Sequence, residues 1–299
     1  MSNNKKNSSV ILIDSTALVL KYWFALPPIK TPKYESIAAF IGFMNFVLKF
    51  LVDNKPNKIC FAFDECLGTC FRNEIYRDYK KNREVAPDEL KQQFKLSRRF
   101  LSLMGLKNFA SDRYEADDII YTIAKNNRAM GLANTIITND KDLYQIIRSD
   151  DVWWNMSDKR YTFSKLTEML TFTPDKIPDY IGLAGDRVDN IPGAPGIGDK
   201  TASKLLKMFG SLDNLYENIK TTVEDKILTL RIKNILLENK KLIYISKKLA
   251  TLRYIKSFDK SSTVIQRDDP DVSKMIQFLK NVGINNNRIT YINGLLKKM

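Results

Sequence analysis

The chain has 299 residues, 44% of them apolar, and carries 48 Lys and Arg against 34 Asp and Glu for a net charge of +14. That length suits one large domain or two modest ones, and the apolar share excludes global disorder. There is no histidine, which excludes His general bases, Ser/His/Asp and Cys/His triads and His-ligated zinc; the cysteines Cys60, Cys66 and Cys70 offer one C-x3-C pair, too few ligands for a tetrahedral zinc site.

Residues 1–9 are polar, lack the apolar run of a secretory signal, and read as a disordered tail. VILID (10–14) reads as a buried strand ending in Asp14, and a helical pattern covers about 35–52. KICFAFD (58–64) repeats the first design and ends in Asp64. Residues 66–90 are basic and aromatic with little apolar periodicity, the pattern of an exposed loop or a mobile helical segment. Helices are expected over 87–104, closed by Gly105, and from about Glu115 to Gly131. NTIIT (134–138) and VWWN (152–155) read as further strands. This alternation predicts an α/β fold with a mostly parallel central sheet flanked by helices. Beyond about residue 175 helical patterns dominate, so a boundary is expected near Pro174, giving an α/β domain over 10–174 and a helical subdomain over 175–299. No apolar stretch is long enough to span a membrane.

Nine carboxylates fall in four tight groups: Asp14; Asp64; Glu115, Asp117 and Asp118 with Asp140 and Asp142; and Asp186 with Asp189. In open α/β sheets the active crevice lies beyond the carboxyl ends of the strands, where Asp14, Asp64, Asp140 and Asp142 fall. Each group has an ordinary structural reading. Acids at a helix start oppose the macrodipole, Asp140 and Asp142 suit turns, and Asp186 and Asp189 are spaced to share one face of a helical turn. A carboxylate ending a buried strand is harder to place unless it is paired or metal-bound. Without histidine, a metal-bound water is the most available nucleophile, and such an acid set suits two Mg2+ ions flanking a phosphodiester. The surplus of Lys and Arg suits a polyanion.

DNIPGAPGIGDKTASKLL (189–206) combines Gly193, Gly196 and Gly198 with Pro192 and Pro195, and Asp199 is placed to cap a following helix that carries Lys200, Thr201 and Lys204. A glycine turn feeding a helix N-terminus presents bare N–H groups to phosphate. The alternative is an ordinary loop between packed helices.

YEADD (114–118), TNDKDLYQI (138–146), GDRVDNIPGAPGIGDKTA (185–202) and FRNEIYRDYKKNR (71–83) resemble the 5′-nuclease family, which includes the N-terminal 5′→3′ exonuclease domain of bacterial DNA polymerase I and the stand-alone flap endonucleases. The resemblance covers about residues 10–285. It implies a helical arch over the site, built around 66–105, and a helix–hairpin–helix grip on duplex at about 185–210, with K+ as a cofactor of the hairpin. Carried over by position, Asp14, Asp64, Glu115 and Asp117 form a first metal site, and Asp140, Asp142, Asp186 and Asp189 a second. Asp118 is an additional acid of the metal set whose role stays open. Tyr79, Lys80 and Arg83 engage the displaced 5′ strand near the scissile phosphate, and Arg72 is a basic, nucleic-acid-facing position. Ser15, Lys21 and Phe24 depart from the usual Gly, Arg and His.

The resemblance implies a Mg2+-dependent 5′→3′ exonuclease and 5′-flap endonuclease, with Mn2+ able to substitute, acting in replication and repair. The implied partners are flapped, nicked or branched DNA and an RNA primer; a monomer in the bacterial cytoplasm, at the nucleoid, is expected, with an organelle as the other location. A branched-DNA-binding protein without catalysis and a metal-dependent ribonuclease are the competing readings.

Overall fold

Apolar β-branched and aromatic runs bounded by polar turns make the strands. They are β1 (Val10–Asp14), β2 (Ile59–Asp64), β3 (Lys107–Ser111), β4 (Asn134–Ile137), β5 (Val152–Trp154) and β6 (Arg160–Thr162). The computed structural model describes residues 9–66, 68–155, 157, 159–258 and 265–299. Of the expected tail, only Ser9 is among them, and its hydroxyl is 3.0 Å from that of Thr135 on β4. The sheet order is β3-β2-β1-β4-β5-β6; β1 to β5 are parallel and β6 runs antiparallel at the edge. The order reverses between β1 and β4, so a crevice opens beyond their carboxyl ends.

The helices are, in chain order, α1 (Ser15–Ala25), α2 (Ala38–Asn54), α3 (Phe71–Ile75), α4 (Asp88–Leu103), α5 (Ala116–Ala129), α6 (Phe163–Leu170), α7 (Ile177–Ala184), α8 (Asp199–Phe209), α9 (Leu212–Asn218), α10 (Leu230–Glu238), α11 (Lys240–Ala250), α12 (Val272–Val282) and α13 (Asn286–Leu296). One face of the sheet carries α1, α2, α4, α12 and α13 over a core that includes Phe40, Phe43, Phe61, Phe63 and Phe100. The other face carries α5, and its core runs on without a break through Ile181, Leu205, Leu236 and Ile243 into the later helices.

Several expectations change. The 66–105 stretch is not one arch. Its second half is α4, which buries Leu90, Leu96, Phe100 and Leu101 in the core beside α2. Of the rest, residues 79–83 meet the acids of the cleft. Nor is 175–299 one separate unit, because α12 and α13 return to pack on α4 and α2. The strands β3 and β6 and the helix α1 were not expected. In β3 every residue is only half-buried, and β6 is a three-residue edge, so neither carries an apolar signature.

Candidate active site and metal-binding acids

Two strand ends place the first acids. Asp14 closes β1 and caps α1, accepting hydrogen bonds from Ala17 N (3.1 Å) and Thr138 Oγ1 (2.8 Å). Asp64 closes β2 and accepts from Ala116 N at 2.6 Å, while Thr16 Oγ1 holds its own N–H at 2.8 Å. These bonds tie β1 to the start of β4's loop and β2 to the start of α5. Burial first, and Asp64 next to it, push the Asp14 carboxyl up to about 7. Asp64 is raised by burial and then by Glu115. Asp117 is raised well above the usual range by burial and by Asp140, Asp14 and Asp64.

Glu115 behaves differently. Burial opposes its charge, but Lys80 and Arg72 outweigh burial and hold it low. Its oxygens meet Lys80 Nζ, Arg72 Nη1 (2.9 Å) and the Tyr79 hydroxyl (3.0 Å).

The second group sits across the cleft. Asp140 accepts from Asp142 N at 2.8 Å, and its own N–H bonds Thr138 Oγ1 at 2.9 Å. Asp140 keeps a solvent-exposed face, yet partial desolvation in the cleft raises it. Asp142 is raised well above the usual range by burial, then by Asp140, Asp189 and Asp186. Asp186 and Asp189 lie in a tight turn closed by the Asp186–Ile191 bridge, rather than on a helical turn. The carboxylate oxygens of Asp142, Asp186 and Asp189 all lie within 4.8 Å of one another. Burial and crowding with neighbouring carboxylates both disfavour the charged form of Asp142. An all-oxygen, highly charged donor set suits a hard divalent cation.

Lys80 and Arg83 reach into this cleft from residues 76–83. Lys80 N donates to Asp189 O (2.9 Å), Asn190 Nδ2 to Asp78 O (2.6 Å) and Asn82 Nδ2 to Arg187 O (3.0 Å), so the segment is clamped on the Asp186–Asp189 turn. Lys80 Nζ pairs with Glu115 and lies 3.4 Å from Asp189; Arg83 pairs with Asp189. Tyr79 is buried beneath them, its hydroxyl 3.0 Å from Glu115 and 3.2 Å from Asp189.

A family model for the 5′-3′ exonuclease N-terminal resolvase-like domain matches residues 9–177, and one for the 5′-3′ exonuclease C-terminal SAM fold matches residues 172–273. The chain belongs to the 5′-3′ exonuclease family.

Membership in the 5′-3′ exonuclease family makes it a nuclease, a hydrolase of phosphodiester bonds. The 5′-3′ exonuclease of Aquifex aeolicus is 36% identical over 211 residues, 70% of this chain and 73% of its own length. The DNA polymerase I of Bacillus caldotenax is 34% identical over 279 residues, 92% of this chain; the chain spans only 31% of that relative's length. Among solved structures, T5 5′-exonuclease with bound divalent metal ions (zinc) has a TM-score of 0.66 at 17% identity, covering 92% of this chain and 98% of that one. The catalytic core of Rad2 in complex with DNA substrate has a TM-score of 0.66 at 16% identity, covering 97% and 93%. At those identities the likeness shows the fold.

Within this family fold two expected residues take other places. Asp118 is fully buried, and its oxygens are taken by Arg72 (2.6 and 2.9 Å), Arg253 N (2.7 Å) and Glu115 N (3.3 Å). It is the partner in a capping box with Glu115, not a ligand left free for metal. Arg72 is 1% exposed, bonded to Asp118, Glu115 and Leu249 O (2.8 Å), so it cannot meet nucleic acid; it anchors Glu115 from behind. The Glu115-x-x-Asp118 spacing carried the box in the sequence, whereas nothing marked Arg72 as buried. Thr16 and Thr138, which orient Asp64, Asp14 and Asp140, were missed because single threonines leave no pattern.

In the glycine segment, α7 and α8 flank a loop that lines a cleft of about 830 Å³ beside Asp186. Gly193 is buried with φ 61°, its N–H bonded to Ser246 Oγ (3.0 Å), so it builds the turn and is not exposed for binding. Gly196, Gly198, Lys200 and Lys204 are exposed, and Thr201 is half-buried. Gly198, not Asp199, caps α8, without a side-chain acceptor; Asp199 instead accepts from the Tyr180 hydroxyl (2.8 Å). A helix start of that kind leaves its first N–H groups for a ligand.

Proposed function

We propose that this chain hydrolyses DNA phosphodiesters as a 5′→3′ exonuclease and 5′-flap endonuclease, with two Mg2+ ions that Mn2+ can replace. One observation carries the reading: acids from separate segments converge at the carboxyl rim of the sheet, and Lys80 and Arg83 already serve them as counter-charges. Asp14, Asp64, Glu115 and Asp117 would hold one ion, and Asp140, Asp142, Asp186 and Asp189 the other. When bound, the ions supply an ionised water and charge stabilisation at the phosphate. Once Glu115 and Asp189 are neutralised, Lys80 and Arg83 stand beside the cleft with unpaired charge, where a phosphate of the displaced 5′ strand can take it. Tyr79 braces Glu115 and Asp189 from below. The helix–hairpin–helix formed by α7 and α8 receives the backbone of the duplex at Gly196, Gly198, Lys200, Thr201 and Lys204, with K+ as the monovalent ion of the hairpin.

The substrates are flapped, nicked and branched DNA and the RNA primer at a 5′ end, in replication and repair, by a monomer of the bacterial cytoplasm. Cleavage of labelled flap, duplex and single-stranded substrates tests the reading. Asp140→Asn and Asp186→Asn should each slow the flap reaction by more than about 100-fold, since a lost ligand removes several kcal/mol of charge stabilisation. Affinity for the same flap should fall far less. Undiminished cleavage in EDTA rules the mechanism out.

A further inference from the structure

Cys66 and Cys70 lie outside the acid set but share a carboxylate with it. Thr69 N is bonded to Cys66 O (3.0 Å), and Gly68 has φ 83°. Both thiols are buried, at 4% exposure, beneath the exposed Gly68 and Thr69. Their sulfurs and a Glu115 carboxylate oxygen all lie within 4.8 Å of one another. The C-x3-C pair therefore has the third ligand that the sequence lacked, brought in by the start of α5. A cation already borders this triangle: Arg72 Nη1 is 3.9 Å from Cys70 Sγ and 2.9 Å from Glu115. Both cysteines also pack in the apolar core of this face of the sheet, and the carboxylate beside them is the one that Arg72 and Lys80 hold.

Two sulfurs and one carboxylate are ligands for a borderline-soft ion and not for Mg2+. Bonds of about 2.3 Å to sulfur and about 2.0–2.2 Å to oxygen require the donors to close by only about 1 Å, within the reach of side-chain rotation. We infer that Cys66, Cys70 and Glu115 form a binding site for a divalent cation of the zinc class, and that filling it withdraws Glu115 from the catalytic carboxylates. Each thiol releases its proton to solvent as its sulfur bonds the ion, and water takes the fourth position. Arg72 gives up Glu115 and keeps Asp118. The loss of catalysis rests on the nuclease reading; the site itself does not.

Co2+ added to the metal-free chain is the probe. Wild type should develop thiolate-to-cobalt charge-transfer absorption with the intense visible bands of tetrahedral Co2+, and Zn2+ should bleach both. Cys66→Ser/Cys70→Ser, which keeps Cys60, should lose the sulfur band; Cys66→Ala/Cys70→Ala is the apolar counterpart, and circular dichroism reports whether each folds. Glu115→Gln should keep the band but bind Co2+ at least ~10-fold more weakly. In excess Mg2+, an equivalent of Zn2+ should inhibit flap cleavage by wild type and spare the double serine variant, whose Mg2+ activity is otherwise unchanged. A wild-type Co2+ spectrum without a sulfur band overturns the site, whatever the variants do. A sulfur band with equal Zn2+ inhibition of both proteins overturns the withdrawal of Glu115. If no protein cleaves DNA at all, the function fails and the spectrum still decides the site.

Discussion

Asp14 ends a strand, caps a helix and faces Asp64 and Asp140, and the pH dependence of the fold follows from that place. Its pKa is about 7 in the fold against an ordinary 3.8, so between those values the folded chain keeps a proton that the unfolded chain has lost. Stability from this group is whole below about pH 4 and falls as pH rises through about 7, by the order of 4 kcal/mol. Asp64, Asp117, Asp140 and Asp142 are raised too and act in the same direction, while Glu115, held low, acts in the opposite one. Melts in EDTA should therefore show wild type losing stability toward neutral pH. Asp14→Asn, whose amide oxygen can still accept from Ala17 N while its NH2 donates to the Thr138 hydroxyl, should melt higher than wild type near neutrality and with a shallower slope. An unchanged slope would remove Asp14 as a cause. Arg72 gives the opposite case, a buried charge that is fully paired. Arg72→Ala leaves Asp118 buried without a counter-charge and should cost about 3–5 kcal/mol in urea unfolding. Flap affinity of the folded fraction should stay within a few fold, because Arg72 has no exposed surface to offer DNA; a large affinity loss at unchanged stability would return it to the interface.

The elements divide by how strongly burial marks them. β1, β2 and β4 were legible because strands buried on both faces are continuous apolar runs, and α4 and α5 because one face of each is apolar. β3 was not, since its single large apolar residue, Phe109, is half-buried at the sheet edge, and α1 was hidden because it starts directly at Asp14 without a linker. The acids were legible as strand-end and helix-start residues. Lys80, Arg83 and Arg72 were placed at the site by the resemblance alone, and their pairing with Glu115, Asp189 and Asp118 was not legible, because the spacing of a basic run does not show which acids it meets. The hairpin separates the two kinds of glycine, and mutation can test the division. A Cβ on Gly193 would lie 2.2 Å from Gly185 N, and its φ is 61°, so Gly193→Ala should cost about 1–3 kcal/mol of stability. Nothing lies within 4 Å of a Cβ on Gly198, whose φ is −97°, so Gly198→Ala should cost less than about 1 kcal/mol. Gly198→Val should instead weaken duplex and flap binding at every salt concentration, and Lys200→Ala should lower the slope of log affinity against log salt by about 0.9. Wild-type flap affinity for Gly198→Val would make the loop only a connector between α7 and α8.

On the scale of the whole molecule, the two family modules, 9–177 and 172–273, share one body. The core that begins under α5 continues through α7, α8 and α11. The end of α11 and the segment after it are stitched to the nuclease layer by polar bonds: Gln145 Nε2 to Ala250 O (3.0 Å), Leu252 N to Gln145 Oε1 (3.2 Å), Arg253 N to Asp118 Oδ1 (2.7 Å) and Ile255 N to Thr122 Oγ1 (2.9 Å). From the far side, α12 and α13 close over α4 and α2. Opening the later helices would therefore strip the backing from Asp118, hence from Arg72 and Glu115, so the acids of the cleft and the later helices stand or fall together. All three tryptophans, Trp23, Trp153 and Trp154, lie in the first module, whereas far-ultraviolet circular dichroism reads helices of both. The two signals should give superimposable urea transitions with one midpoint and one slope. Circular dichroism lost ahead of tryptophan fluorescence would mean that the later helices open alone, and the acids of the cleft would then owe them nothing.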